Sequence, residues 1–256
     1  MVAGPRAGGA EAAMLTTTWF DHLLAGSIVF VDPVIGAWWL SRVARRIASG
    51  DSGARARLYR RTIAEQWAWT LGLLIGWAWL DRPFAWLGLG APSGASAWIT
   101  AVLCTAAVAL FGTQIYAVLV SADARASMRA DLDRSGPGVQ TVIPGTAKEL
   151  RLFLGVSLTA GFCEEVLARG FMLWYFNTWL PSWAAIAVVI VAFGVGHAYQ
   201  GPRGVLLTAA AGSIYLAAYL ATGSLVAPIV MHAATDLANG FMAYRARRPG
   251  GVLTAA

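Results

Sequence analysis

The stretch Gly161–Gly170, GFCEEVLARG, sets two adjacent glutamates and an arginine in the middle of a long apolar run. A charged side chain in the hydrocarbon core of a bilayer costs about 2.5–3.5 kcal/mol on insertion scales and more in simulations, so charges kept there are candidates for function. Residues on an α-helix turn by about 100° per step and positions four apart share a face, which sets Glu165 and Arg169 to pair and points Glu164 elsewhere. Glu164 is then the uncommitted carboxylate. The competing reading is a buried ionic knot of all three residues that only locks helix packing.

Composition supports a membrane setting for this run. The 256 residues are 58% hydrophobic and only 12% charged, with mean hydropathy +0.61, whereas a soluble domain carries about 25% charged residues. This predicts an all-α, polytopic transmembrane helix bundle. The two cysteines, Cys104 and Cys163, lie far apart without metal-ligand spacing, and each reads as a small buried hydrophobe. Net charge is +6, but the arginines bunch between apolar runs, as topology signals do, and nucleic acid is not expected as a partner.

Working back toward the N-terminus, residues 1–22 read as a flexible segment without a removed signal peptide. A three-span region follows at 23–120. Its first apolar run, about 23–40, carries Asp32-Pro33, a kink signal beside an acid that either lines a cavity or marks an interfacial break. Asp21 and His22 precede it, and His22 reads as interfacial. Residues 41–61 form a basic cytoplasmic connection with seven arginines. Spans at about 62–80 and 97–120 complete the region, with Trp67, Trp69, Trp77, Trp79, Trp86 and Trp98 as a headgroup belt.

Residues 121–149 read as a polar cytoplasmic linker, broken by Gly136-Pro137-Gly138 and Pro144-Gly145. Beyond it, 150–244 reads as a helix bundle that holds the chemistry, with apolar runs at about 150–180, 182–198, 204–221 and 224–244. Residues 245–256 form a cytoplasmic tail. The total is about seven spans. With the N-terminus outside and the C-terminus cytoplasmic, sixteen basic residues face inward against Arg6 and Arg82 outward, a strong orientation signal. This places the protein in a cell membrane as a multi-pass chain, by preference a bacterial inner membrane.

Two further polar islands interrupt the bundle. Phe193 and His197 are four apart at the end of one run, and His232 and Asp236 are four apart within another, so each pair shares a helix face. Polar groups this costly in lipid tend to converge on a shared cavity.

EExxxR at Glu164, Glu165 and Arg169, FxxxH at Phe193 and His197, and HxxxD at His232 and Asp236 together resemble the CPBP family of intramembrane proteases. That family includes the type II CAAX prenyl endopeptidases and bacteriocin-processing, abortive-infection-like proteins. The resemblance spans about 148–244. It implies that Glu164 activates water with His197, that His232 and Asp236 polarise the scissile carbonyl or stabilise the oxyanion, and that Glu165 and Arg169 form a structural ion pair. Because an ionised aspartate would repel an oxyanion, Asp236 is expected to orient His232, leaving the imidazolium as electrophile.

The implied substrate is a membrane-associated peptide or protein, prenylated or carrying a leader, met within the lipid bilayer. The C-terminal GVLTAA carries no CaaX box of its own. A metalloprotease stays open as well: Glu164, His197 and His232 form a ligand set used by hydrolytic zinc sites, although HExxH is absent and a ligating Glu164 leaves no other general base among the matched residues. Metal-free glutamate chemistry is the preferred reading. Rival functions are a non-catalytic interaction or bacteriocin-immunity protein and a proton-coupled transporter; no internal repeat supports the latter.

Overall fold

The structure, a computed structural model, describes residues 16–248. Arg6, most of the N-terminal segment and GVLTAA lie outside the described residues. Within them every regular element is helical. The first helix, α1 (Trp19–Ala48), contains a π-helical turn at Ser27–Val31, directly before Asp32-Pro33. After it come α2 (Ala54–Trp79), α3 (Gly94–Val120), α4 (Ala122–Asp133) and the short α5 (Pro137–Val142).

The helix that carries the two glutamates, α6, runs through 147–177 as Ala147–Glu165, a π-helical turn Val166–Met172 and a last α-helical piece Leu173–Asn177. Its start is set by a capping box. The Thr146 hydroxyl accepts from the Glu149 amide at 3.1 Å, while Glu149 Oε2 accepts from the Thr146 amide at 3.0 Å, so two otherwise orphaned donors are satisfied. Pro181 closes the run. Beyond it lie α7 (Ser182–Gly196), α8 (Gly201–Thr222) and α9 (Val226–Ala246).

In the bundle α9 packs on α3, α6 and α8, α2 packs along α6, and α7 packs on α8. The core surrounds Leu73, Trp77, Val166, Phe171 and Leu216. Small residues allow the closest approach: a Cβ on Gly161 of α6 would stand 2.7 Å from the Ala233 methyl of α9. Lipid gives helices no hydrophobic reason to associate, so such close van der Waals contact carries much of the association.

Among the described residues three helices are long and apolar enough to cross a membrane: Trp19–Ala48, Gly94–Val120 and Ala198–Thr222; Ser182–Gly196 is apolar but shorter. In the other long helices polar and charged groups dilute the apolar character.

Several sequence expectations change. The basic connection is largely helical, because α1 ends at Ala48 and α2 begins at Ala54, taking in Arg55 to Arg61; arginine is a good helix former and its head can reach water from a buried stem. The expected linker is also mostly helical: Leu132 and Ile143 pack on Ala243 and Ala246 of α9, and Arg129 donates to the Ala246 carbonyl at 2.8 and 2.9 Å. Trp77 belongs to the core rather than to a belt. It is fully buried, its indole donates to the Pro83 carbonyl at 3.1 Å, and Trp174 meets it edge-on at 4.8 Å. Trp79 and Trp98 are exposed.

Candidate active site

The two glutamates on α6 have opposite surroundings. Glu165 is fully buried; its Oε1 lies 2.9 Å from Arg169 Nη1 and 2.8 Å from His232 Nδ1. Arg169 sits in the π-helical turn and donates from Nη2 to the Gly212 carbonyl of α8 at 2.9 Å. Only glycine fits there, since a Cβ on residue 212 would come within 2.8 Å of both Arg169 and Phe193. The side chain of Glu164 is 22% exposed. Glu164 is thus partly exposed, whereas the ion pair behind it is enclosed.

His197 occupies the end of α7, where the last helical carbonyls lack intrahelical donors. Its Nδ1 lies 2.8 Å from the Phe193 carbonyl, which can only accept, so Nδ1 carries the proton and Nε2 faces Glu164. The Phe193 ring stands between the site's polar groups, 4.9 Å from the His197 ring, 5.9 Å from the His232 ring and 4.0 Å below the Arg169 guanidinium. Its phenyl face thus meets a buried cation.

His232 comes from α9. Tyr215 of α8 stacks on it at 5.2 Å with the rings 20° apart, and the Tyr215 hydroxyl donates to Thr235 at 2.7 Å. Stacking on one side and Glu165 on Nδ1 hold the imidazole plane. Its Nε2 is 3.9 Å from Glu164 Oε2 and 3.6 Å from Asp236 Oδ2. The closest carboxylate to His232 is therefore Glu165 on Nδ1, with Asp236 of the same helix beside Nε2. A periodicity argument sees the same-helix pair, not a contact from α6.

Glu164 Oε2 is 3.8 Å from His197 Nε2 as well. Separations of 3.8 and 3.9 Å are too long for direct hydrogen bonds and suit a bridging water. The end of α7 thus reaches Glu164 at the depth where α6 begins its π-helical turn. The other carboxylate oxygen, Oε1, accepts from Gln66 Nε2 of α2 at 2.7 Å. Glu164 is consequently not without a partner, contrary to the helix-face argument. Gln66 escaped the sequence reading, because a neutral amide costs less in an apolar run than the charge of Glu164 does.

Among the described residues no three His, Cys, Asp or Glu side chains form a metal-binding group. Ligand bonds of about 2.0–2.1 Å in a tetrahedron hold donors about 3.3 Å apart, and Glu164 Oε2 stands farther than that from both histidines. The three donors as placed do not fit a zinc ion.

The remaining candidates lie outside this cluster. His22 pairs with the Tyr175 hydroxyl at 2.8 Å at an exposed end of the bundle. Asp32 is half-buried. Cys163 is free and fully buried, and Cys104 is free and half-buried.

The fold and this cluster define a helical membrane protein with a partly exposed carboxylate facing two imidazoles. Residues 146–238, which contain every residue of the three motifs, match the family described as type II CAAX prenyl endopeptidase Rce1-like. That match supports a CPBP/CAAX protease domain over residues 146–238 and, with it, a protease. No curated relative and no solved structure matches the chain.

Proposed function

We propose that the protein is a multi-pass intramembrane endopeptidase that hydrolyses a peptide bond in a membrane-associated substrate, with Glu164 as the group that activates water. The observation that carries this reading is the approach of His197 Nε2 and His232 Nε2 to a single oxygen, Glu164 Oε2, at 3.8 and 3.9 Å. A water held among the three gives up a proton to Glu164, and its oxygen attacks the scissile carbonyl carbon. His197, with Nδ1 committed to Phe193, presents a lone pair on Nε2 that holds this water.

The carbonyl oxygen gains negative charge as the carbon becomes tetrahedral. His232 faces it through Nε2; with Nδ1 donating to Glu165, it offers an Nε2 proton as imidazolium, for which Glu165 and Asp236 supply counter-charge. Glu164 then returns the proton to the departing nitrogen as the C–N bond breaks, and a free amine and a carboxyl group result. No step requires a metal. Glu165 and Arg169 hold the floor of the site.

The same reading assigns seven spans to the seven long helices, with the N-terminus outside, the C-terminus cytoplasmic and a bacterial inner membrane as the setting. Sixteen inward basic residues support the orientation. A prenylated substrate follows from the family description alone, and a leader-bearing one only from the wider resemblance stated for the three motifs.

The test compares protein termini in membranes of cells expressing wild type or Glu164→Ala at equal levels. New termini confined to wild type are expected and name the substrates. Identical termini, with both proteins folded in the native host, would instead support a non-catalytic interaction role.

A further inference from the structure

We propose that Gln66 is a positioning residue for Glu164, so that α2, which lies outside the family-matched stretch, completes the active site. The proposal rests on the protease reading above and extends the site to a region that the three motifs do not reach.

The contact is short and directional. Gln66 Nε2 lies 2.7 Å from Glu164 Oε1. A carboxylate oxygen can only accept, so the amide must present its NH2 here, with its own oxygen turned away. That oxygen is buried and has no hydrogen-bond partner among the described residues. The amide is thus spent on Glu164 rather than on a network of its own. With Oε1 held from the α2 side, Oε2 is the oxygen left to face His197 and His232.

The register of α2 is secured along its length by residues on the same face. Arg55 meets Glu149 at 3.3 Å, and the Tyr59 hydroxyl donates to the Val142 carbonyl at 2.7 Å. Ile63 lies against Gly155, where a Cβ would stand 3.5 Å from its terminal methyl. Trp67, the next residue after Gln66, stacks on Phe162 at 5.5 Å with the rings 23° apart. Since Phe162 is two residues from Glu164, this stack and the amide contact locate the same turn of α2 against the same turn of α6.

The geometry assigns Gln66 an effect on turnover rather than on substrate affinity, because it touches Glu164 Oε1 and not the oxygen that faces the two imidazoles. Gln66→Met keeps length and packing but removes the donor. On a substrate taken from the termini comparison, kcat is expected to fall roughly 10- to 100-fold, the range for loss of a supporting partner or an ångström-scale misplacement, with KM within about twofold. A second measurement follows the unfolding midpoint of wild type, Gln66→Met, Glu164→Ala and the double variant in detergent. Gln66→Met is expected to lower the midpoint in wild type and to leave it unchanged in Glu164→Ala.

Wild-type cleavage with unchanged kcat in Gln66→Met, or equal midpoint shifts in both backgrounds, overturns the role of Gln66 and leaves the protease reading standing. Absence of wild-type cleavage overturns the protease reading and the positioning role with it.

Discussion

Glu165 Oε1 stands 2.8 Å from His232 Nδ1, closer than Asp236 comes to the same ring at 3.6 Å. One buried carboxylate thereby joins the imidazole to the Arg169 guanidinium at 2.9 Å and through it to the Gly212 carbonyl. The EExxxR motif thus links three helices: its first glutamate faces the two imidazoles, and its second contacts the ring on α9 that the first one faces.

Removing Glu165 is expected to cost stability first. Its side chain is fully buried, and Arg169 is 1% exposed, so Glu165→Ala leaves a cation without its counter-charge, for which the usual cost is about 3–5 kcal/mol. A lowered unfolding midpoint in detergent checks this. Arg169→Met in the same background should recover part of the loss; a double variant as unstable as the single one contradicts the ion-pair account.

Glu164→Gln should behave in the opposite way. The amide keeps size and still offers an oxygen to Gln66, so the midpoint is expected to stay within about 1 kcal/mol of wild type, as for substitutions that create no buried orphan. Cleavage is expected to fall by roughly 100- to 10,000-fold, the usual worth of a general base. The pairing of intact folding with lost cleavage is the readout, and intact cleavage would falsify the assigned role.

Charged groups in apolar runs made much of the site legible in the sequence, because their cost in lipid marks them. Glu164, Glu165, Arg169, His197, His232 and Asp236 stand out for this reason. Gln66 does not, since a neutral amide beside an apolar run gives a weaker signal. Helical spacing pairs Glu165 with Arg169 correctly but favours Asp236 for His232, because periodicity reports neighbours on one helix and is blind to contacts between helices. Helix ends were least legible. Arginine-rich segments at Arg55–Arg61 and Arg125–Arg129 look like loops by polarity yet have the propensity to continue helices. Trp77 looks like its exposed neighbour Trp79 until the packing of Trp174 and Pro83 is known.

A second buried pair outside the site offers an independent test of the fold. Arg82 donates to both oxygens of Asp21, at 2.7 and 2.8 Å, and to the Thr16 carbonyl at 3.1 Å. The rings of Trp77 and Trp174 lie 5.0 and 4.8 Å from its guanidinium carbon. Arg82→Met strands a fully buried carboxylate and is expected to destabilise by about 3–5 kcal/mol, with partial recovery in Asp21→Leu/Arg82→Met. The same scans in detergent decide it.

Chelation addresses the zinc reading. Because Glu164 Oε2 is 3.8 and 3.9 Å from the two imidazoles, cleavage by metal-free glutamate chemistry is expected to persist after prolonged dialysis against a strong zinc chelator. Loss of activity that added zinc restores contradicts this and requires the three donors to close toward a common ion.

Asp236→Asn separates the two acids on His232. The side chain of Asp236 is 37% exposed, and its oxygen is 3.6 Å from Nε2, whereas Glu165 is dry and in hydrogen-bond contact with Nδ1. Asparagine keeps the shape and removes a charge that would oppose the oxyanion. If Glu165 orients the ring, Asp236→Asn should retain kcat within about tenfold, because a partly exposed charge is screened and counts for less than a buried one. Replacement by alanine also removes the polar group beside the oxyanion and should cost more. Equal, near-complete loss in both variants would return the orienting role to Asp236 and leave Glu165 as the partner of Arg169 alone.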